Sequence, residues 1–314
     1  MINSVKTITV AAALLAAVTL TSKAQTVGFL DVNPDPVALS MGGTGTTLEA
    51  TPYAMWNNAA TAALTDDKFR IGAVYSLWQP STTANNAIAV AGYGRVAKFM
   101  TISAGIKYFG HSPYDITDGM TGMVTGQFTP VDLQAGIGLG FRILPILSLG
   151  ANINYVHSDI GGPQKGAAVA VDFGAMVDLK FVRIGVTASN IGSTINYGGP
   201  SSYGLPANLK FGVGTVQYFG NEDRHAFSAN LEGGLTFDKT AVFAGIGAQY
   251  AWNDLVRVSA GYHYGDASKL FYGSYASVGV GIKLIGISLN AAYLIAVDDS
   301  PIGNTFSVGL GYAF

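Results

Sequence analysis

The stretch Met100-Thr101-Ile102-Ser103-Ala104-Gly105-Ile106-Lys107-Tyr108 decides the fold. Successive side chains of an extended chain point to opposite faces. Met100, Ile102, Ala104, Ile106 and Tyr108 therefore share one face, and Thr101, Ser103, Gly105 and Lys107 the other. The alternation returns from Val242 to Trp252, where Val242, Ala244, Ile246, Ala248, Tyr250 and Trp252 oppose a face made mostly of glycine and Gln249. At the end of the chain Phe306, Val308, Leu310, Tyr312 and Phe314 oppose Ser307, Gly309, Gly311 and Ala313. Segments of about ten residues, apolar on one side and small or polar on the other, are the pattern of strands that cross a membrane as a β-barrel. A soluble sandwich would place charge on its second face. Here that face is dominated by Gly, Ser, Asn and Thr.

Composition points the same way. Of 314 residues, 49% are hydrophobic and 11% charged, with 41 Gly, 16 Tyr and 16 Phe. Soluble domains are about one-quarter charged, so the chain does not read as cytosolic, and its apolar content excludes a disordered one. A helical membrane protein needs runs of about 20 apolar residues, and none follows the N-terminus. The lack of cysteine excludes disulfide frameworks, thiolate metal sites, Cys nucleophiles and lipidation of an N-terminal Cys. With 17 basic against 19 acidic residues, nothing favours nucleic acid as a partner. Residues 1–24 read as a signal peptide: Lys6 marks the charged start, Val10 to Leu20 the apolar run, and Ser22-Lys23-Ala24 the cleavage region. The mature chain then begins at Gln25, and export is expected.

About fourteen alternating segments are predicted over 68–314, which makes the chain an all-β, antiparallel, transmembrane outer-membrane barrel. Their starts fall near Lys68, Asn86, Lys98, Thr129, Leu147, Ala167, Val182, Ala207, Ala226, Ala241, Leu255, Tyr275, Ile287 and Thr305. Short links are expected at Val96-Ala97, Ile143 to Ile146, Lys180-Phe181, Asn253-Asp254 and Ile285-Gly286. Longer ones are expected at Gly110 to Phe128, Asp159 to Gly166, Gly192 to Pro206, Asp266 to Ser274 and Val297 to Asn304. Short and long alternate as periplasmic turns and extracellular loops do when both termini are periplasmic. Gly220 to His225 and Asp238 to Thr240 depart from that rule. Aromatics near strand ends, at Tyr108-Phe109, Tyr218-Phe219, Tyr250 with Trp252, and Tyr262 with Tyr264, are expected to form interfacial girdles. Alternation turns Arg70, Asp132, Arg142, Asp172, Asp178, Arg183, Lys210, Glu232, Arg257 and Lys283 inward, giving a mixed-charge lumen that pairs internally and holds a plug.

The last eight residues, Ser307-Val308-Gly309-Leu310-Gly311-Tyr312-Ala313-Phe314, resemble the terminal signal of outer-membrane proteins. Gly309, Tyr312 and Phe314 carry the resemblance, and the barrel-assembly machinery that reads it by strand pairing is an expected partner during biogenesis.

Residues 25–67 do not alternate and are expected to plug the lumen, because a barrel of this size is too wide to be filled by its own side chains. Met41-Gly42-Gly43 is expected to let backbone pass close to the wall. Trp56 is read as an apolar anchor, and Asn57 or Asn58 as bonding exposed backbone groups. Gly43-Thr44-Gly45 lacks the strand, the third glycine and the lysine of a phosphate cradle. The run Asp35-Pro36-Val37-Ala38-Leu39-Ser40-Met41-Gly42-Gly43-Thr44-Gly45-Thr46, followed by Tyr53-Ala54-Met55-Trp56-Asn57-Asn58-Ala59-Ala60, resembles the N-terminal region of the PorV/PorQ family of Bacteroidota outer-membrane proteins. Asn58 stands where that family carries proline. The resemblance implies a FadL-like fourteen-stranded barrel with an N-terminal plug, and a role in type IX secretion or surface attachment.

Nothing nominates an enzyme, a metal or a cofactor. His111, His157, His225 and His263 are scattered, no Gly-x-Ser-x-Gly or His-Glu-x-x-His occurs, and Asp298-Asp299 alone does not make a calcium site. Two functions remain. The first is a non-enzymatic docking or accessory barrel of a secretion complex. It would meet outer-membrane or secreted proteins through Tyr114, Met120, Met123 and Phe128 of one long loop and Tyr197 and Tyr203 of another. The second is a FadL-like passive transporter of hydrophobic molecules, which needs an apolar capture site among the loops and a gap or kink in a strand. Gly136, Gly138 and Gly140 are candidates for such a kink or for close plug packing. In both readings outer-membrane lipid surrounds the barrel.

Overall fold

The computed structural model describes residues 27–162, 164–297 and 300–314. The expected signal peptide, Gln25 and Asp298-Asp299 lie outside them. Among the described residues no helix is long and apolar enough to cross a membrane; the crossing elements are strands. They are β1 (Phe69–Trp78), β2 (Asn85–Ala97), β3 (Met100–Gly110), β4 (Val131–Leu144), β5 (Leu147–Gly161), β6 (Gln164–Asp178) and β7 (Arg183–Gly192), followed by β8 (Asn208–Phe219), β9 (His225–Thr236), β10 (Ala241–Trp252), β11 (Val256–Gly265), β12 (Tyr275–Leu284), β13 (Ile287–Ala296) and β14 (Thr305–Ala313). Each pairs with its sequence neighbours antiparallel, and β1 closes the ring on β14 from Arg70↔Ala313 to Leu77↔Phe306. Closure leaves no unpaired edge in lipid, where an unmatched backbone group is costly.

Alternation sorts the two faces as the sequence requires. Ile137, Leu231, Ile246, Val280 and Leu310 stand exposed on the outside. Asp132, Asp172 and Glu232 are buried inside. An Arg or Lys turned outward at mid-bilayer would cost about 2–4 kcal/mol. Phe109 corrects the girdle: it is fully buried and inward, while its neighbour Tyr108 lies on the outer face.

The glycines of β4 do not supply the kink expected of a lateral opening. β3 and β4 stay in register from Met100↔Phe141 to Gly110↔Val131, so Gly136, Gly138 and Gly140 do not bend the strand. Gly136 and Gly138 leave room for the side chains of Asn154 and Asn152 on β5, and Gly140 faces the backbone of Ala59 in the N-terminal segment. Register shifts occur between Arg95 and Ala97, Arg142 and Leu144, Asp159 and Gly161, and Val171 and Phe173. One predicted loop is overturned. Pairing of β5 with β6 runs out to Gly161↔Gln164, so Asp159 to Gly161 and Gln164 to Gly166 are strand and not part of a long loop. The link predicted at Val96-Ala97 falls after Ala97 instead, since β2 ends there and β3 begins at Met100.

Candidate functional site

Residues 27–63 are largely buried inside the ring. The helix Pro36–Ser40 is started by Asp35, whose Oδ1 accepts from the Val37 N–H at 3.0 Å, with Pro36 at the first helical position. The other oxygen of Asp35 accepts from Thr51 Oγ1 at 2.6 Å and Asn57 Nδ2 at 2.7 Å. One carboxylate thus ties three parts of an irregular segment together. Burial raises the Asp35 carboxyl above its ordinary value, against the pull of the hydrogen bonds from Thr51, Val37 and Asn57.

The segment touches the wall on all sides. Met41-Gly42-Gly43 passes β10 and β11 so closely that a Cβ on Gly42, at φ +69°, would sit 2.5 Å from the carbonyl oxygens of Ile246 and Tyr262. No residue but glycine fits there. Met55 and Trp56 fill the space over Gly105 of β3, and Pro36 faces Gly309 of β14. Trp56 is half-buried, and Asn58 Nδ2 donates to the carbonyls of Thr46 at 2.9 Å and Ala175 at 3.1 Å, bridging plug to wall. Asn57 spends its amide on Asp35 and its Oδ1 on Asn33, so it bonds side chains rather than exposed backbone.

Inward polar residues supply the remaining anchors. Glu232 Oε2 accepts from the N–H groups of Gly45 at 3.0 Å and Thr46 at 2.7 Å. Arg70 donates to the Ala50 carbonyl, and Arg142 to that of Leu64. Ser277 Oγ donates to the Ser40 carbonyl at 3.0 Å. Lys107 of β3, fully buried, donates to the carbonyls of Leu30 at 3.3 Å and Val32 at 3.1 Å. The sequence held one hint of it, a lysine among Thr, Ser and Gly on an inward face, but not what it would meet.

Above Lys107 the mouth of the barrel is apolar. Phe29 and Leu30 from the N-terminal segment pack with Trp78, Phe109 and Leu294 from strand ends and with Ile195, Leu205 and Ile302 from the loops. Phe29 lies 6.3 Å from Phe109, and Trp78 meets Tyr272 edge-on at 5.7 Å. His263 faces this interior, stacked on Tyr275 at 4.9 Å. Of the expected loop contacts, Tyr114, Met120 and Met123 are exposed, whereas Tyr197 and Tyr203 fold against the mouth cluster, 6.1 Å from each other. Tyr114 pairs with Phe128, their rings 5.7 Å apart, at the base of a hairpin formed by Tyr114–Thr117 and Val124–Phe128. Gly309 points inward, while Tyr312 and Phe314 are exposed on the outside next to β1. Among the described residues no group of three or more His, Cys, Asp or Glu is placed to hold a metal.

Solved structures share this architecture. The Ralstonia pickettii toluene transporter TbuX superposes with a TM-score of 0.62 at 15% identity, covering 88% of this chain and 97% of that one. The fold is that of the FadL-like outer-membrane barrels. The monoaromatic hydrocarbon channel CymD gives 0.62 at 13% identity over 90% of this chain and 98% of that one. A Pseudomonas aeruginosa FadL homologue gives 0.55 at 12% over 89% and 98%. No family model and no curated protein matches the chain. In this chain the segment ahead of β1 occupies the lumen of that fold.

Proposed function

We propose that this chain is a non-enzymatic outer-membrane barrel that passively admits small hydrophobic molecules from its loop side. The apolar mouth carries the reading. A pore for ions or polar solutes presents charged or polar rings at its constriction. This one presents Phe29, Trp78, Phe109 and Leu294. An apolar solute loses its hydration cost on entering such a cluster, at roughly 25 cal/mol per Å². The plug below keeps polar solutes from leaking. That the solved barrels of this fold include a toluene transporter and a monoaromatic hydrocarbon channel supports the reading. In the same proposal, residues 1–24 direct export, and Gly309, Tyr312 and Phe314 present the last strand to the assembly machinery. The test is uptake of radiolabelled toluene by cells that lack the chain and by the same cells complemented with it. Faster uptake on complementation is expected; equal uptake at verified surface expression refutes the proposal.

One observation favours a second reading, a PorV/PorQ-like docking barrel of a secretion complex. Met120 is 97% exposed and Met123 66% exposed at the tip of the 114–128 hairpin. Exposed methionines adapt to varied partners. Purification in gentle detergent with mass spectrometry separates the two: a stoichiometric protein partner on the loop side, lost when Met120 and Met123 are replaced by Ser, supports docking.

A further inference from the structure

Two small chambers lie between the plug and the wall, each about 40 Å³, and share Asp31, Asn208 and Lys210. One is otherwise lined by rings, among them Phe243, His263 and Phe271. The other is lined by polar groups, including Lys107, Gln134 and Asp172.

Hydrogen bonding at the shared wall is incomplete. Asn208 Nδ2 faces Asp31 Oδ1 at 3.5 Å and the Pro206 carbonyl at 3.3 Å, which leaves Asn208 Oδ1 buried without a partner. Gln134 Oε1 is likewise buried and unmatched. Lys210 makes no ion pair or hydrogen bond among the described residues, and its ammonium lies 5.9 Å from the centre of the Phe243 ring. An unmatched acceptor and an unmatched donor therefore border the same space. A hydroxyl answers both, since it donates its own proton and accepts through its lone pairs. The neighbouring rings suit a flat apolar body.

We propose that this site selects single-ring aromatic molecules that carry a hydroxyl group, the phenols, over the bare hydrocarbon. The inference rests on the transport reading and names its substrate class. A carboxylate on the ring is disfavoured, because Asp31 and Asp172 balance Lys107 and Lys210 there and no net positive charge offsets its loss of hydration.

As it stands, each chamber holds only a water or two, whereas benzene takes a cavity on the order of 150 Å³. Phe271 supplies the missing space. It sits in the irregular connection between β11 and β12, flat against Gly28, where an added Cβ would lie 2.4 Å from its ring, and edge-on to Phe109 at 6.2 Å. It is a benzyl group resting on the aromatic chamber. Its withdrawal frees a ring-sized volume contiguous with Lys210 and Asn208.

The experiment is calorimetric titration of the purified full-length barrel in detergent with phenol, toluene and benzoate. Affinities are referred to free aqueous concentration. Phenol is expected to bind at least about tenfold more tightly than toluene, the worth of one well-made hydrogen bond in a buried site, and benzoate is expected to bind weakest. Lys210→Met and Asn208→Leu should bring the phenol-to-toluene ratio towards one. Lys210→Met removes no existing hydrogen bond and so tests the site even if Asn208→Leu fails to fold. Phe271→Ala should strengthen both phenol and toluene with the ratio kept. A wild-type ratio near one, or a ratio unchanged in Lys210→Met, overturns the inference while leaving transport standing. Binding of neither ring, together with toluene uptake independent of the chain, overturns both.

Discussion

Glu232 shows how one side chain settles a stretch of backbone that has no partner of its own. Gly45 and Thr46 lie in an irregular run whose N–H groups meet neither helix nor sheet, and a single carboxylate oxygen takes both. Glu232→Ala strands two buried donors, each costing about 1–3 kcal/mol. Glu232→Gln keeps an acceptor oxygen and loses only charge, which costs about 1 kcal/mol. Hydrogen exchange at the Gly45 and Thr46 amides reads the difference: exchange should accelerate by orders of magnitude in the alanine variant and by about fivefold in the glutamine variant. Equal rates in all three proteins would mean that the carboxylate does not hold the plug. That Glu232 faces inward could be read from its place in an alternating strand. That it meets residues nearly two hundred positions away could not, because period two fixes the face of a side chain and not its depth in the barrel. Lys107 was hidden for the same reason, since its partners Leu30 and Val32 belong to a segment with no period at all.

Among the elements, the strands were legible and their connections less so. The predicted starts at Leu147, Ala241, Tyr275, Ile287 and Thr305 coincide with the observed ones, and the others differ by one to three residues. The bilayer enforces alternation only where lipid touches the strand. Above it pairing continues without that pattern, which is why β5 and β6 outrun their predicted ends. The 114–128 hairpin was read as loop because neither of its faces is buried in lipid or core. Its tip is tied by Asp118, whose carboxylate accepts from the Thr121 N–H at 2.8 Å, the Thr121 hydroxyl at 2.9 Å and the Met120 N–H at 3.0 Å. These bonds hold the acid below its ordinary value of 3.8, the Thr121 N–H foremost. A carboxylate with a depressed pKa lends its support above the unfolded value, and that support is lost as pH falls through the folded one. Methyl NMR signals of Met120 should therefore hold steady from neutral pH down to 3.8 and move only below it. A transition at or above that value would show that Asp118 does not organise the tip.

Across the whole molecule, plug and wall carry opposite charge. Residues 27–67 contain Asp31, Asp35, Glu49, Asp66 and Asp67 and no Lys or Arg. The inward wall offers Arg70, Lys107, Arg142, Arg183, Lys210, Arg257 and Lys283 against Asp132, Asp172, Asp178 and Glu232. Two contacts join the sets, Arg70 with Asp67 and Arg95 facing Asp66 at 3.8 Å, while Arg183 pairs with Asp178 and both Arg257 and Lys283 with Asp254 of the turn after β10. The lumen pairs partly within itself, and the wall cations in excess of its acids face a plug that carries only acids. A fourteen-stranded ring emptied of that plug is wide enough for water, as somewhat larger porins are. Deleting residues 27–67 should then convert a barrel with no steady conductance in planar bilayers into one that opens stepwise. Its reversal potential in a KCl gradient should have the sign of chloride preference, because the unpaired wall cations raise the local anion concentration. Raising the salt should weaken that preference as screening shortens to about 3 Å at 1 M. A potassium-preferring pore would show that the wall's acids, not its bases, set the lumen's field. A deletion variant that folds, by heat-modifiable mobility, yet stays closed would show that something other than residues 27–67 seals the barrel.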